Sequence, residues 1–221
     1  MKRVAVLASG GGSNLGALLE YFDHCSPSPA AVRLVVSDKP DAGALGRARA
    51  RGIATATLTD PADANALSAV LAQYDTDIVV LAGYLRLVPM QVTVRYAGAM
   101  VNVHPALLPA HGGPGMYGKR VHRAVLAAGE HESGATVHFV DHHYDRGAAV
   151  AWARVPVEPD DTELSLANRV LIGEHFLLPR AVHAIAVGAI RLATSGAVVV
   201  TAAACPLFEH PPLPVTVRLV G

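Results

Sequence analysis

Val4-Ala5-Val6-Leu7-Ala8, followed at once by Ser9-Gly10-Gly11-Gly12-Ser13-Asn14, decides the fold. Five apolar residues in a row suit a strand covered on both faces. The glycines then make a loop, and Asn14 to Phe22 has helical composition. The order repeats downstream. Ala31–Val36 reads as a second strand, Gly43–Arg51 as a helix stopped by Gly52, and Ile53–Leu58 as a third strand. Ala62–Tyr74 reads as a helix with Leu67, Val70 and Leu71 on one stripe, and Asp77–Ala82 as a buried strand. Near-continuous apolar strands alternating with helices predict an α/β fold with a Rossmann-like, mostly parallel twisted sheet flanked by helices. In such folds the first strand-to-helix turn faces the ligand crevice.

The pattern changes after Ala99–Val103. A loop rich in Gly and Pro, His104–Gly118, precedes a helix near Val121–Ala128. Gly134–Val140 and Ala148–Val157 are joined by the short polar turn Asp141–Gly147, so they are expected to pair antiparallel. Asp160 and Glu163 are expected to cap a long helix, Thr162 to about Val187, with a kink at Pro179. Val198–Thr201 and Val215–Leu219 are expected as edge strands. With no repeat or linker, residues 1–221 are expected to form a single domain. Residues 1–100 make a nucleotide- and phosphate-binding half, 101–190 a catalytic half, and 191–221 a tail.

Bulk properties exclude several classes. Apolar residues make up 52% of the 221, and 18 Lys and Arg balance 18 Asp and Glu. Zero net charge argues against a nucleic-acid partner, which demands a basic face. No apolar stretch reaches the roughly 20 residues of a membrane helix, so no membrane partner is expected. The charged start Met1-Lys2-Arg3 leads into too short an apolar run for a signal peptide. Two cysteines, Cys25 and Cys205, make no framework and suit a reduced, cytoplasmic compartment.

Three features bear chemistry. The loop Gly12-Ser13-Asn14 opens a helix, where backbone amides bind phosphate; the alternative is a flexible turn with Asn14 as a helix cap. Neither a P-loop nor a dinucleotide fingerprint is present, so ATP and NAD are poor fits. Asn102 and His104 stand at i and i+2 and so share a face at a strand end. With Asp145 they supply an amide donor, an imidazole and a carboxylate, the parts needed to move an acyl group onto an amine. Without further context the same three residues read as a turn cap, a loop histidine and an ordinary Asp-x-Gly turn. His138, Asp141, His142 and His143 invite a metal reading, but adjacent His142 and His143 diverge and no His-Glu-x-x-His helix exists; no metal is expected.

Asn102-Val103-His104-Pro105 with Leu107-Leu108-Pro109, and Asp145-Arg146-Gly147 further on, resemble the formyltransferases that use 10-formyltetrahydrofolate. Ser9-Gly10-Gly11-Gly12-Ser13-Asn14 narrows the resemblance to the phosphoribosylglycinamide branch of purine synthesis. It runs from about Val4 to about Val187. It implies formyl transfer to glycinamide ribonucleotide, with 10-formyltetrahydrofolate as co-substrate and Asn102, His104 and Asp145 as catalytic residues. It implies phosphate binding by Gly12, Ser13 and Asn14 and ribose binding by Glu174. For the folate it implies Asn102, the segment Leu85, Arg86, Leu87 and Val88, and the loop Asp141, His142, His143 and Tyr144. His138 matches a second histidine supporting Asp145, with a plain inner-face strand histidine as the equal alternative. The implied mechanism has Asn102 and a protonated His104 stabilising an oxyanion. The glycine-rich Gly112–Gly118 is longer than the family's usual loop and suggests a lid. Asp60–Asn65 is short and lacks an arginine that reaches the folate tail in some relatives. A formyltetrahydrofolate hydrolase, or transfer to another amine, is the alternative. The chain is expected to be a monomer or homodimer.

Overall fold

The computed structural model describes residues 1–221. Strand β1 (Lys2–Leu7) leads through the glycine loop to α1 (Ser13–Asp23). Then follow β2 (Ala30–Ser37), α2 (Gly43–Ala50), β3 (Ala54–Thr57), α3 (Ala64–Gln73) and β4 (Ile78–Leu81). Next come α4 (Met90–Arg95), β5 (Met100–His104), α5 (Lys119–Ala127), β6 (Glu132–Phe139), β7 (Ala149–Pro156) and α6 (Glu163–Ala186). The chain ends with β8 (Ile190–Leu192), β9 (Val198–Val200), a 3₁₀ turn (Ala202–Phe208) and β10 (Thr216–Leu219).

One eight-stranded sheet runs in the order β10-β7-β6-β5-β4-β1-β2-β3. Pairs among β1 to β5 are parallel; β5–β6, β6–β7 and β7–β10 are antiparallel. The period of two explains the two-sided cover. In β1, Val4 and Val6 join the core under α1, α2 and α6, while Ala5 and Leu7 join the core under α3 and α4. In β4, Ile78 and Val80 face the first core, and Val79 and Leu81 the second.

The strand order reverses between β1 and β4, so the loops after these strands part and leave a crevice. They are tied at one point: the Ser9 amide donates to the Gly83 carbonyl (3.0 Å) and the Leu85 amide to Ser9 Oγ (3.0 Å).

Two expectations need correction, the α6 cap and the place of β9, and two short elements were not expected. Helix α6 is capped by Thr162, not Asp160: Ser165 N donates to Thr162 Oγ1 and Thr162 N to Ser165 Oγ, a reciprocal box closed by serine. Asp161 is drawn off to Arg169. Pro179 sits inside α6 without ending it. Helix α4 and strand β8 escape the sequence pattern, because six and three residues are too short to show a period. Strand β9 pairs only with β8, outside the main sheet, whereas β10 forms its edge. Cys25 and Cys205 are both free.

Candidate active site

The glycine loop is shaped by its neighbour. Gly12 has φ +75°, and a Cβ there would lie 2.8 Å from Ala44 Cα and 2.9 Å from its Cβ. Only glycine accepts both that backbone and that approach. The Ala44 amide donates to the Gly10 carbonyl (3.0 Å), so the start of α2 holds the loop from behind. On the outer side, a Cβ at Gly10 or Gly11 would meet nothing within 4 Å, leaving open space over the free amides of α1.

Asn14 is buried, and its Nδ2 donates to Glu174 Oε2 at 2.5 Å. Asn14 Oδ1 is sealed and without a partner. Glu174, on α6, is 9% exposed, and burial pushes its carboxyl up to about 7, against the opposing bond from Asn14. It is therefore not a solvent-facing helix residue. An acid raised from 4.5 to about 7 makes folding less favourable as pH rises through that window. Replacing Glu174 by Gln should remove about 3 kcal/mol of that cost above pH 7 and none below pH 4.5. Thermal unfolding at pH 4 and pH 8 checks this: the stabilising effect of Glu174→Gln should appear at the higher pH only.

Across the crevice, β5 projects Asn102 and His104 the same way. Opposite Asn102, His138 stands on β6. Asp145 comes from the β6–β7 turn with φ +55°, a left-handed backbone that costs about 1–3 kcal/mol and persists only where surroundings enforce it. The enforcing groups are visible. The Gly113 amide donates to Asp145 Oδ2 (2.9 Å) and Asn102 Nδ2 reaches Oδ1 (3.4 Å). His104 Nδ1 is 3.5 Å from Oδ2 and His138 Nε2 3.6 Å from Oδ1. Burial alone would raise the Asp145 carboxyl. The contact with His138, the neighbouring His104 ring and the Gly113 amide together leave it below its usual range.

Bond partners set the tautomers. His104 Nε2 lies 2.8 Å from the His111 carbonyl, so it carries the proton and Nδ1 is bare toward Asp145. His138 Nδ1 lies 2.8 Å from its neighbour's carbonyl, so Nε2 accepts from Asn102 Nδ2 at 3.1 Å. Burial lowers the His104 pKa, outweighing the pull of Asp145. The lowered pKa favours the neutral imidazole before substrates bind.

A cavity of 430 Å³ joins the two halves, bounded by Asn14 and Glu174 at one end and by Asn102, His104 and Asp145 at the other. Gly113–Gly118 forms one wall. A narrow slot of 60 Å³ adjoins it and shares Tyr84, Asn102, Tyr144 and Asp145. Arg86, Leu87 and Val88 line the slot on one side, and Asp141, His143 and Tyr144 on the other. Four expected residues lie elsewhere: Leu85 lines the larger cavity, His142 lies against His143 outside both linings, Gly12 is in neither lining, and Ser13 faces a separate outer cleft. Arg86 pairs with the buried Asp38 carboxylate at 2.7 Å. The histidines and acids of the turn do not gather into a metal-holding cluster. The largest depression, 840 Å³, lies around Arg3, Ala30 and Ala54, at the starts of the parallel strands and away from these groups.

His122 was not anticipated. It is 5% exposed, lines the main cavity, and its Nδ1 has no partner. Its signal in the sequence was its place beside Val121 and Val125 on the inward stripe of α5. Leu171 lines the cavity for the same reason, being one turn from Glu174 on α6.

Known proteins are similar to this chain in sequence and fold. The chloroplastic phosphoribosylglycinamide formyltransferase of Arabidopsis thaliana is 42% identical over 191 residues, covering 83% of this chain and 65% of that protein. This chain thus spans just under two thirds of the plant protein. The phosphoribosylglycinamide formyltransferase of Escherichia coli K12 is 38% identical over 197 residues, covering 86% and 89%. The crystal structure of phosphoribosylglycinamide formyltransferase from Anaplasma phagocytophilum superposes with a TM-score of 0.82 at 35% identity, covering 90% of this chain and 94% of that one. The family model described as formyl transferase matches residues 2–182, and with the switch-point crevice and the Asn102, His104 and Asp145 cluster already in place, the chain belongs to the formyl transferase family.

Proposed function

We propose that this chain transfers the formyl group of 10-formyltetrahydrofolate to the amine of glycinamide ribonucleotide, a step of purine synthesis. One observation carries the reading. Asn102 and Asp145 stand on the wall shared by a cavity and an apolar slot, His104 lines the cavity beside them, and the far end of the cavity is Asn14, the residue just after the glycine loop. The names of the relatives agree with it. No helix is long and apolar enough to cross a membrane, in line with small-molecule substrates.

The cavity suits a ribonucleotide. The Glu174 carboxyl, which lines it, can take ribose hydroxyls, and the amides of Gly12 to Asn14 can take the phosphate. Leu81, Leu87, Val88 and Val140 give the slot apolar walls suited to a flat heterocycle, with Asp141 at its rim. At 60 Å³ the slot holds about two waters, so Asp141–Tyr144 must part from Arg86–Val88 to admit the folate.

Asn102 Nδ2 donates to the formyl oxygen as charge develops there, giving up its long 3.4 Å contact with Asp145. Neutral His104 accepts a proton at Nδ1 as the amine attacks, the ionised Asp145 3.5 Å away stabilises the imidazolium, and that proton passes to the folate nitrogen as its bond to the formyl carbon breaks. His138 holds Asn102 in register from the neighbouring strand. No side chain here serves as a covalent nucleophile, so positioning of the two substrates supplies much of the acceleration. Asn102→Ala should lower kcat roughly 100- to 1,000-fold with little change in KM, since its bond strengthens only in the transition state; steady-state kinetics with both substrates checks it.

The decisive experiment incubates the protein with 10-formyltetrahydrofolate alone and then with glycinamide ribonucleotide. Tetrahydrofolate should form only with the amine present. Turnover that ignores the amine would replace transfer with hydrolysis.

A further inference from the structure

We infer that Arg47, on α2, completes the phosphate subsite and sets the preference for a phosphorylated acceptor; this rests on the reading above. Arg47 reaches over the glycine loop, and its Nε donates to the Gly11 carbonyl at 2.8 Å. That bond leaves the terminal nitrogens free, and no carboxylate lies within ion-pair reach of them. Nη1 stands 3.8 Å from where a Cβ on Gly16 would be, so the guanidinium lies along the first turn of α1. Gly16 and Ser13 are three apart on that helix, neighbours on one face at roughly 5–6 Å. An anion on the Ser13 amide is therefore within a side-chain swing of Arg47.

The surroundings agree. The outer cleft that Ser13 faces, 460 Å³, is lined by Arg47, His175 and Arg180, with Glu20 its single acid. His175 Nε2 is sealed and without a partner. On the inner side Asn14, 7% exposed with Oδ1 unpaired, marks the same helix start as built to meet a ligand. Ala44 and Gly43, packed beneath Gly11 and Gly12, fix where α2 presents the guanidinium. A dianionic phosphate would thus meet helix amides and one unpaired guanidinium, a planar donor suited to two phosphate oxygens.

The test measures formyl transfer by the full chain to glycinamide ribonucleotide and to the ribonucleoside lacking the phosphate, in Arg47→Met, Arg47→Lys and the matched control Arg49→Met. For Arg47→Met, KM for the ribonucleotide should rise about tenfold with kcat within about twofold, while KM for the ribonucleoside stays put. Arg47→Lys should fall between, and Arg49→Met should match wild type. A second arm titrates inorganic phosphate and follows it by phosphorus NMR; affinity should drop about tenfold in Arg47→Met. Unchanged KM, equal losses on both acceptors, or equal phosphate affinity in the two proteins overturns the inference. If the wild type formylates neither acceptor, the proposed function falls, and the phosphate arm still decides the role of Arg47.

Discussion

Asp145→Asn should bind both substrates and turn over at least 1,000-fold more slowly, the largest loss expected from any isosteric change in this chain. The amide keeps the shape and an acceptor for Gly113, so the turn should hold. What disappears is the negative charge 3.5 Å from His104 Nδ1. That charge stabilises the imidazolium formed when the amine gives up its proton. An amide NH₂ pointed at Nδ1 would instead occupy the lone pair that must accept it. The pH profile gives an independent readout. Asp145 raises the His104 pKa against burial, so its removal should move the acidic limb of the residual activity to lower pH. Near-normal turnover, or a limb that stays in place, would refute the assigned roles.

Gly147→Ala should be the most damaging substitution outside the reacting groups. A Cβ at Gly147 would lie 1.8 Å from the Phe139 carbonyl oxygen and 2.8 Å from its carbon, both backbone atoms. Phe139 is itself locked, its amide donating to the Ala148 carbonyl at 2.9 Å. The strain can relax only by pushing the Asp141–Gly147 turn off the hairpin. We expect a loss of about 2–4 kcal/mol, equivalent to a melting temperature lower by about 4–16 °C for a chain of this size. Because the turn carries Asp145, kcat should fall in whatever protein remains folded. Gly46→Ala is the control. That glycine sits inside α2 with nothing near its Cβ position, so alanine there should be neutral or stabilise by up to about 1 kcal/mol. Thermal melts of the two variants side by side make the comparison.

These two residues also mark how far sequence reading reaches. The parallel half was legible because its central strands are covered on both faces, so apolar runs such as Val4–Ala8 and Ile78–Leu81 stand out from the helices between them. The i and i+2 spacing of Asn102 and His104 was legible because one strand carries both. Helix α4 was not, since six residues leave no period to detect. The downward shift of the His104 pKa is not legible in sequence because it depends on depth: the residue is 3% exposed, and nothing in its neighbours in sequence says so. His122 and Arg47 were passed over because a lone histidine or arginine on a helix has meaning only once the opposing element is known.

By itself the sequence determined the alternation of strands and helices, the glycine loop at the first turn, and the kinds of chemical group available. Those depend on local period and on residue type. Only the tertiary structure decided which groups meet. Asp145 reaches His104 because β6 and β7 fold back antiparallel beside β5, and Glu174 reaches Asn14 because α6 crosses α1, 160 residues apart. Burial, charge and hydrogen bonding at such contacts are set by neighbours in space, and they turned an ordinary carboxyl into one that titrates near 7 and an ordinary turn aspartate into a strained, ionised one.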